Sequence, residues 1–108
     1  MKRWYLFPVL ILMAISAFAV DFDTEIQPIF TNSCVGCHGS SGGLSLVAGS
    51  SFNNLVDATS QGYSPAVRVV PGDPGASVLY NMVAGTGVYG QRMPQGGQLT
   101  AEQIALID

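Results

Sequence analysis

The pentapeptide Cys34-Val35-Gly36-Cys37-His38 constrains the fold of this chain more than any other stretch. Its C-x-x-C-H pattern is the signal for covalent attachment of a c-type haem. Two thiols at this spacing can each add to a vinyl group of the porphyrin, and the histidine that follows is placed to bind the iron. The motif therefore predicts one covalent haem c, attached through Cys34 and Cys37, with His38 as an axial ligand.

The same residues allow three simpler interpretations. A structural zinc site needs four cysteine or histidine ligands, whereas this chain has two cysteines and one histidine. A thioredoxin-type motif needs a βαβ context, and the hydrophobic pattern shows none. A disulfide between Cys34 and Cys37 is the plainest alternative in an exported protein and stays open at this point. The arrangement of the residues downstream favours haem attachment.

The first nineteen residues have the pattern of a secretory signal peptide. Lys2 and Arg3 form a positive segment, residues 4–15 are almost entirely apolar, and Ala17-Phe18-Ala19 matches the A-x-A cleavage signal. We therefore expect a signal peptide at 1–19, a mature domain at 20–108, and a periplasmic or otherwise exported location. An uncleaved segment, which would anchor the chain in a membrane, is the alternative.

The mature segment predicts short helices separated by glycine-rich loops. The helical segments are 21–33, 51–58, 74–84 and the stretch from residue 100 onward. Asp21 or Asp23 can cap the first, Asp73 the third, and Thr100 the last. After residue 19 the basic residues are Arg68 and Arg92, with no lysine, so a basic surface for nucleic acid is excluded.

The second axial ligand cannot be another histidine, because His38 is the only one. The thioether of a methionine is the natural alternative, and the mature segment offers Met82 and Met93. Met82 falls inside a predicted helix, where we expect it to fill the core. Met93 lies in a loop before Pro94, which favours an extended backbone in the residue that precedes it. We expect Met93 to be the ligand.

With these motifs the chain resembles a small class I cytochrome c of the bacterial mono-haem type. The matching stretches are Ile-Gln-Pro-Ile-Phe-x3-Cys-x2-Cys-His-Gly (26–39), Gly-Gly-Leu-Ser-Leu (42–46), Val-Val-Pro-Gly-Asp-Pro (69–74) and Arg-Met-Pro (92–94). The resemblance implies an all-α cytochrome c fold, with three to five helices around one covalent haem and the first and last helices crossing. We expect the haem pocket to include Leu44, Leu46, Leu79 and Arg92, the last near a haem propionate.

The chain departs from this family at two points. Many members have a proline soon after the haem motif, whose carbonyl orients the axial histidine, but here no proline follows until Pro65. The partner of the His38 ring is therefore open. The last helix also stops at Asp108, earlier than the family pattern implies, so we expect a truncated C-terminal helix.

The resemblance implies a periplasmic one-electron carrier with His/Met ligation, which is not itself an enzyme. Its partners are expected to be redox proteins rather than nucleic acid or a small-molecule substrate. Two alternatives remain, namely an electron-entry module of a larger oxidoreductase and a ligand-binding or sensor haem domain.

The first prediction concerns processing. Because the small-x-small site ends at Ala19, we expect the exported protein to begin at Val20 and to carry the mass of one haem. Intact-mass spectrometry of the exported product measures both. A membrane-bound product that retains Met1 would contradict cleavage and favour the anchor.

Overall fold

The computed structural model describes residues 20–39 and 41–108, so the predicted signal peptide lies outside the described residues. Within these ranges the chain forms four α-helices: α1 (Gln27–Ser33), α2 (Ser51–Leu55), α3 (Val78–Ala84) and α4 (Ala101–Ile107). The described part has no strands, only isolated β-bridges between loop residues. This agrees with the all-α prediction. None of these helices has the length and apolar character needed to cross a membrane.

The predicted helix over 21–33 is present, but in two geometries. A π-helical turn over Phe22–Ile26 leads directly into α1. Asp21 is the N-cap, and its carboxylate accepts a hydrogen bond from the backbone N–H of Thr24 at 3.1 Å. Pro28 lies in the first turn of α1, where its missing N–H costs least. The change from π-helical to α-helical geometry therefore occurs close to Pro28, which has no backbone N–H to donate.

The predicted helix over 74–84 is wrong in one respect, because the chain leaves helical geometry at Ser77. Asp73 caps only a short 3₁₀ turn, Pro74–Ala76, and α3 begins at Val78. The buried Ser77 hydroxyl accepts from the Val70 N–H at 2.8 Å and donates to the Asp73 carbonyl at 2.9 Å. These bonds to the preceding turn hold Ser77 in an extended conformation, which local propensity does not reveal. The helix ends as predicted at Gly85, with φ +68°.

The last helix, α4, has the predicted capping box. The Gln103 N–H donates to the Thr100 hydroxyl at 3.1 Å, and the Thr100 N–H donates to Oε1 of Gln103 at 2.9 Å. The helix contacts α3 and the Phe22–Ile26 turn. The N-terminal and C-terminal helical segments therefore meet, as the family resemblance implies.

The core consists of two small clusters rather than one large one. The first contains Ile26, Phe30, Leu46 and Leu55, and the second contains Ile29, Val83 and Leu99. Leu79, Leu106 and Ile107 pack against both. Helices α3 and α4 therefore join the clusters.

Gln27 is a buried polar residue that ties three segments together. Its side-chain nitrogen donates to the Leu46 carbonyl at 2.9 Å and to the Thr31 hydroxyl at 3.2 Å. Its side-chain oxygen accepts a hydrogen bond from the Ser51 hydroxyl. Buried polar groups are expensive unless they are paired, and these bonds connect α1 to the loop before α2 and to α2 itself.

We predict that Gln27→Leu lowers the free energy of unfolding of the holoprotein by about 1–3 kcal/mol, the cost of leaving buried polar groups without partners. Guanidinium denaturation measures the change. Gln95→Leu is the matched control, because Gln95 is exposed, and it is expected to shift stability by less than about 0.5 kcal/mol. Equal effects of the two substitutions would show that the buried hydrogen bonds do not stabilise the fold.

Candidate haem site

The C-x-x-C-H segment continues from the end of α1 as a series of tight turns. The Cys34 N–H donates to the Phe30 carbonyl at 2.8 Å, and the His38 N–H donates to the Cys34 carbonyl at 2.7 Å. Phe30 is almost completely buried, at 1% exposure. The motif therefore follows a helix that is anchored in the core by Ile29 and Phe30, which restricts where its thiols and imidazole can lie.

The ring of His38 has a definite partner. Its Nδ1 lies 2.9 Å from the backbone carbonyl oxygen of Ser41. A carbonyl oxygen can only accept, so Nδ1 is the donor, and in the neutral ring Nε2 then has the free lone pair. Bonds of this kind fix the ring orientation of metal-binding histidines and increase their basicity. The Ser41 carbonyl is therefore the hydrogen-bond partner of the His38 ring, which could not be identified from the sequence because no proline closely follows the motif.

The loop after the motif folds back onto it. The Leu46 N–H donates to the His38 carbonyl at 2.8 Å, and Leu46 is 2% exposed. Gly43 has φ +68°, and a β-carbon there would lie 1.9 Å from the Gln61 side chain. Glycine is favoured at this position by its left-handed backbone angle.

These elements surround a cavity of about 380 Å³. This volume falls within the range of about 300–1,000 Å³ that is usual for ligand sites. Its walls are mainly aliphatic and sulfur-containing. They comprise Cys34, His38, Gly42, Leu44, Leu46, Leu55, Ser60, Gly62, Tyr63, Arg68, Val78, Leu79, Met82, Val83 and Met93. The described chain thus encloses an apolar space beside the C-x-x-C-H motif.

Most of the residues predicted for the site line this cavity. They are Cys34, His38, Leu44, Leu46, Leu79 and Met93. Cys37 is exposed next to the cavity and is not part of its wall. Arg92 lies away from it: its guanidinium donates to the Ala84 carbonyl at 2.9 Å and to the Gln98 side chain. Arg92 is therefore not among the residues that line this cavity, although the sequence analysis expected it in the haem pocket.

Both candidate methionines reach the cavity. Met93 is in the loop after α3, and its N–H donates to the Met82 carbonyl at 3.0 Å. Met82 lies inside α3 as expected, and its half-buried side chain also lines the cavity. Both thioether side chains therefore line the same cavity.

Several wall residues were not anticipated from the sequence, among them Arg68 and Tyr63. Arg68 projects from the segment before Val69, and its guanidinium donates to the Asn54 carbonyl at 2.8 Å and to the Gly43 carbonyl at 3.3 Å. Tyr63 packs edge-on against Tyr89 of the Met93 loop, with ring centroids 5.2 Å apart. An arginine just before the Val-Val-Pro-Gly-Asp-Pro stretch was the available signal for the first, whereas the second depends on two loops meeting in space.

The thiol, imidazole and thioether groups of this site suit a covalent haem. Both cysteines are free thiols. Burial raises the pKa of the Cys34 thiol, and the nearby Cys37 adds to that effect, so Cys34 stays protonated at neutral pH. Within 20–39 and 41–108 no group of three or more His, Cys, Asp or Glu side chains is arranged to hold a metal ion. The site therefore offers two thiols, one imidazole nitrogen and two thioethers around an apolar space.

Comparison with known protein families identifies a match. A family model described as Planctomycete cytochrome C matches residues 34–96, more than half of the chain, from the first cysteine of the motif to just beyond Met93-Pro94. No curated protein and no solved structure matches significantly. The matched segment contains the motif and most of the cavity wall, and the family implies covalently bound haem c. The chain belongs to the planctomycete cytochrome c family and is a haem-binding domain of the cytochrome c type.

Proposed function

We propose that the domain is a mono-haem, class I-type carrier of single electrons, with His38 and Met93 as axial ligands of the iron. The observation that carries this proposal is the shared cavity, whose wall includes Cys34 and His38 from the motif and Met93 from a distant loop. The proposal includes export of the domain, which rests on the signal-peptide pattern of residues 1–19.

The residues present fit one haem. Cys34 and Cys37 supply the thiols for the two thioether bonds, and Nε2 of His38 supplies the axial nitrogen. Met93 offers a thioether, the soft ligand that raises the potential of haem iron relative to a second histidine. When bound, the haem supplies an iron atom that accepts and releases one electron.

The protein's contribution is to position these ligands and to exclude water. The Ser41 carbonyl holds the His38 ring, and the buried side chains of Leu46, Leu55 and Val83 form part of the wall. A dry, low-polarity pocket disfavours extra charge and, like His/Met ligation, favours the ferrous state.

Arg68 is proposed to face the haem propionates. These carboxylates are negative at neutral pH, and burying a charge is expensive unless it is paired. After residue 19 the cationic side chains that stay charged at any ordinary pH are Arg68 and Arg92, and of these Arg68 lines the cavity. Its two observed hydrogen bonds leave N–H groups of the five-donor guanidinium for a carboxylate.

In this proposal the domain binds no substrate of its own and exchanges electrons with redox proteins. Its surface carries seven acidic residues and no lysine after residue 19, so partner docking does not depend on a ring of lysines. A sensor or ligand-binding domain would differ in having an iron site open to small ligands, which the next experiment detects.

We predict that the ferric protein is low-spin and shows the weak far-red sulfur-to-iron charge-transfer band. Met93→Ala is expected to abolish the band, open the sixth site to carbon monoxide and lower the reduction potential, because the thioether stabilises ferrous iron. Optical spectra and redox titration measure these changes.

Met82→Ala is the matched control, since both methionines reach the cavity. It is expected to keep the band and to cost less than about 2 kcal/mol of stability, below the range for fully buried methionines. Loss of the band in Met82→Ala but not in Met93→Ala would reassign the ligand. A wild-type protein that lacks the band and binds carbon monoxide would favour the sensor alternative.

We also predict an effect of Arg68 on the propionates. A cation beside a carboxylate lowers its pKa, so Arg68→Gln should raise the propionate pKa and move the pH-dependent part of the reduction potential to higher pH. Redox titration across pH measures the shift. Arg68→Lys, which keeps a positive charge, should stay closer to the wild type. Identical pH profiles for all three proteins would remove Arg68 from the propionate site.

A further inference from the structure

The loop that carries Met93 is rich in glycine. Between α3 and α4, residues 85–98 contain Gly85, Gly87, Gly90 and Gly96, all with positive φ. Glycine has more backbone freedom than any other residue, and fixing such a segment costs conformational entropy. The contacts that attach this loop to the rest of the domain therefore determine how firmly Met93 is held.

Arg92, the residue before Met93, joins the two ends of this loop. One guanidinium nitrogen donates to the Ala84 carbonyl at 2.9 Å, and another donates to Oε1 of Gln98. The Ala84 carbonyl belongs to the last turn of α3, where helix carbonyls have no partner within the helix. A positive charge at this end of a helix is also favourable.

The guanidinium lies directly against Gly85. A β-carbon at Gly85 would be 2.1 Å from Nε of Arg92, so a larger residue there would displace the arginine. Next along the chain, the Met93 N–H donates to the Met82 carbonyl at 3.0 Å. Two consecutive residues are thus fixed to the C-terminal end of α3, one by its side chain and one by its backbone.

We infer that Arg92 is a positioning residue, which closes the 85–98 loop and thereby holds the Met93 thioether at the cavity. This inference rests on the proposed ligation by Met93. An internal ligand competes with external ones according to its effective concentration, which is higher when the segment that carries it has less freedom. Arg92 raises that concentration without contacting the cavity.

The test is the affinity of the ferric holoprotein for imidazole, which must displace Met93 to bind. Arg92→Ala is expected to tighten imidazole binding about tenfold, since charge-assisted hydrogen bonds are lost from the closed loop. Arg92→Lys is expected to tighten it nearly as much, because one ammonium group cannot reproduce the planar fork that reaches both acceptors. Gln91→Ala, at the exposed neighbouring position, is the matched control and should bind as the wild type does.

A second background separates positioning from other effects of the arginine. In Met93→Ala there is no internal ligand to displace, so adding Arg92→Ala should leave imidazole affinity unchanged. The same tenfold effect in that background would overturn the inference, because it would mean that Arg92 acts on the pocket directly. A lower unfolding midpoint with unchanged imidazole affinity in Arg92→Ala would also overturn it, since that is the result of a purely structural role.

The outcome for the ligand itself is distinguishable. If Met93→Ala alone does not tighten imidazole binding, the proposed ligation fails and the role of Arg92 fails with it. If Met93→Ala tightens binding and Arg92→Ala does not, only the role of Arg92 fails. If Arg92→Ala does not fold, Gln98→Ala is the second variant, because it removes one of the two hydrogen-bond acceptors of Arg92. It is expected to tighten imidazole binding by a smaller factor, about threefold. An unchanged imidazole affinity in Gln98→Ala would count against the inference.

Discussion

The structure depends on an apolar space that the polypeptide lines but does not fill. Two small clusters of buried side chains are joined by α3 and α4, and beside them lies a cavity of about 380 Å³. A domain of this size buries little apolar surface by itself and usually needs a further stabilising element. The covalent haem that the family implies is such an element, since it would bring apolar surface into contact with both clusters through shared wall residues such as Leu79.

The two sides of this space are built differently. The side with the motif is attached to helix and core: Cys34 follows α1, the Ser41 carbonyl orients His38, and Gln27 ties α1 to the chain at Leu46. Met93 is instead carried by a glycine-rich loop, whose attachment includes a few hydrogen bonds and the pair of Tyr63 and Tyr89. A ligand held by regular structure and a ligand held by a loop differ in how easily each can leave the metal. Under the proposed ligation, exchange of ligands would therefore occur on the Met93 side.

The two arginines of the described chain also lie in different places. Arg68 faces the cavity and Arg92 faces the end of α3, although both are arginines beside apolar or sulfur-containing residues in the sequence. The expectation for Arg92 was based on its position next to Met93. Met93 lines the cavity while Arg92 bonds the end of α3, so the position of one side chain at a site does not determine the position of the next.

The sequence by itself determined the local features of this protein. The C-x-x-C-H motif, the helix caps at Asp21 and Thr100, and the stop at Gly85 depend on residues a few positions apart, and the structure has the predicted helix ends at each cap and stop. Tertiary structure decided three others: the break at Ser77, the position of Met82 at the cavity, and the placement of Arg68 at the cavity wall and of Arg92 at the end of α3. The break at Ser77 depends on hydrogen bonds to the turn just before it. The other two depend on segments that are distant in sequence and adjacent in space, where packing and hydrogen bonding outweigh local propensity.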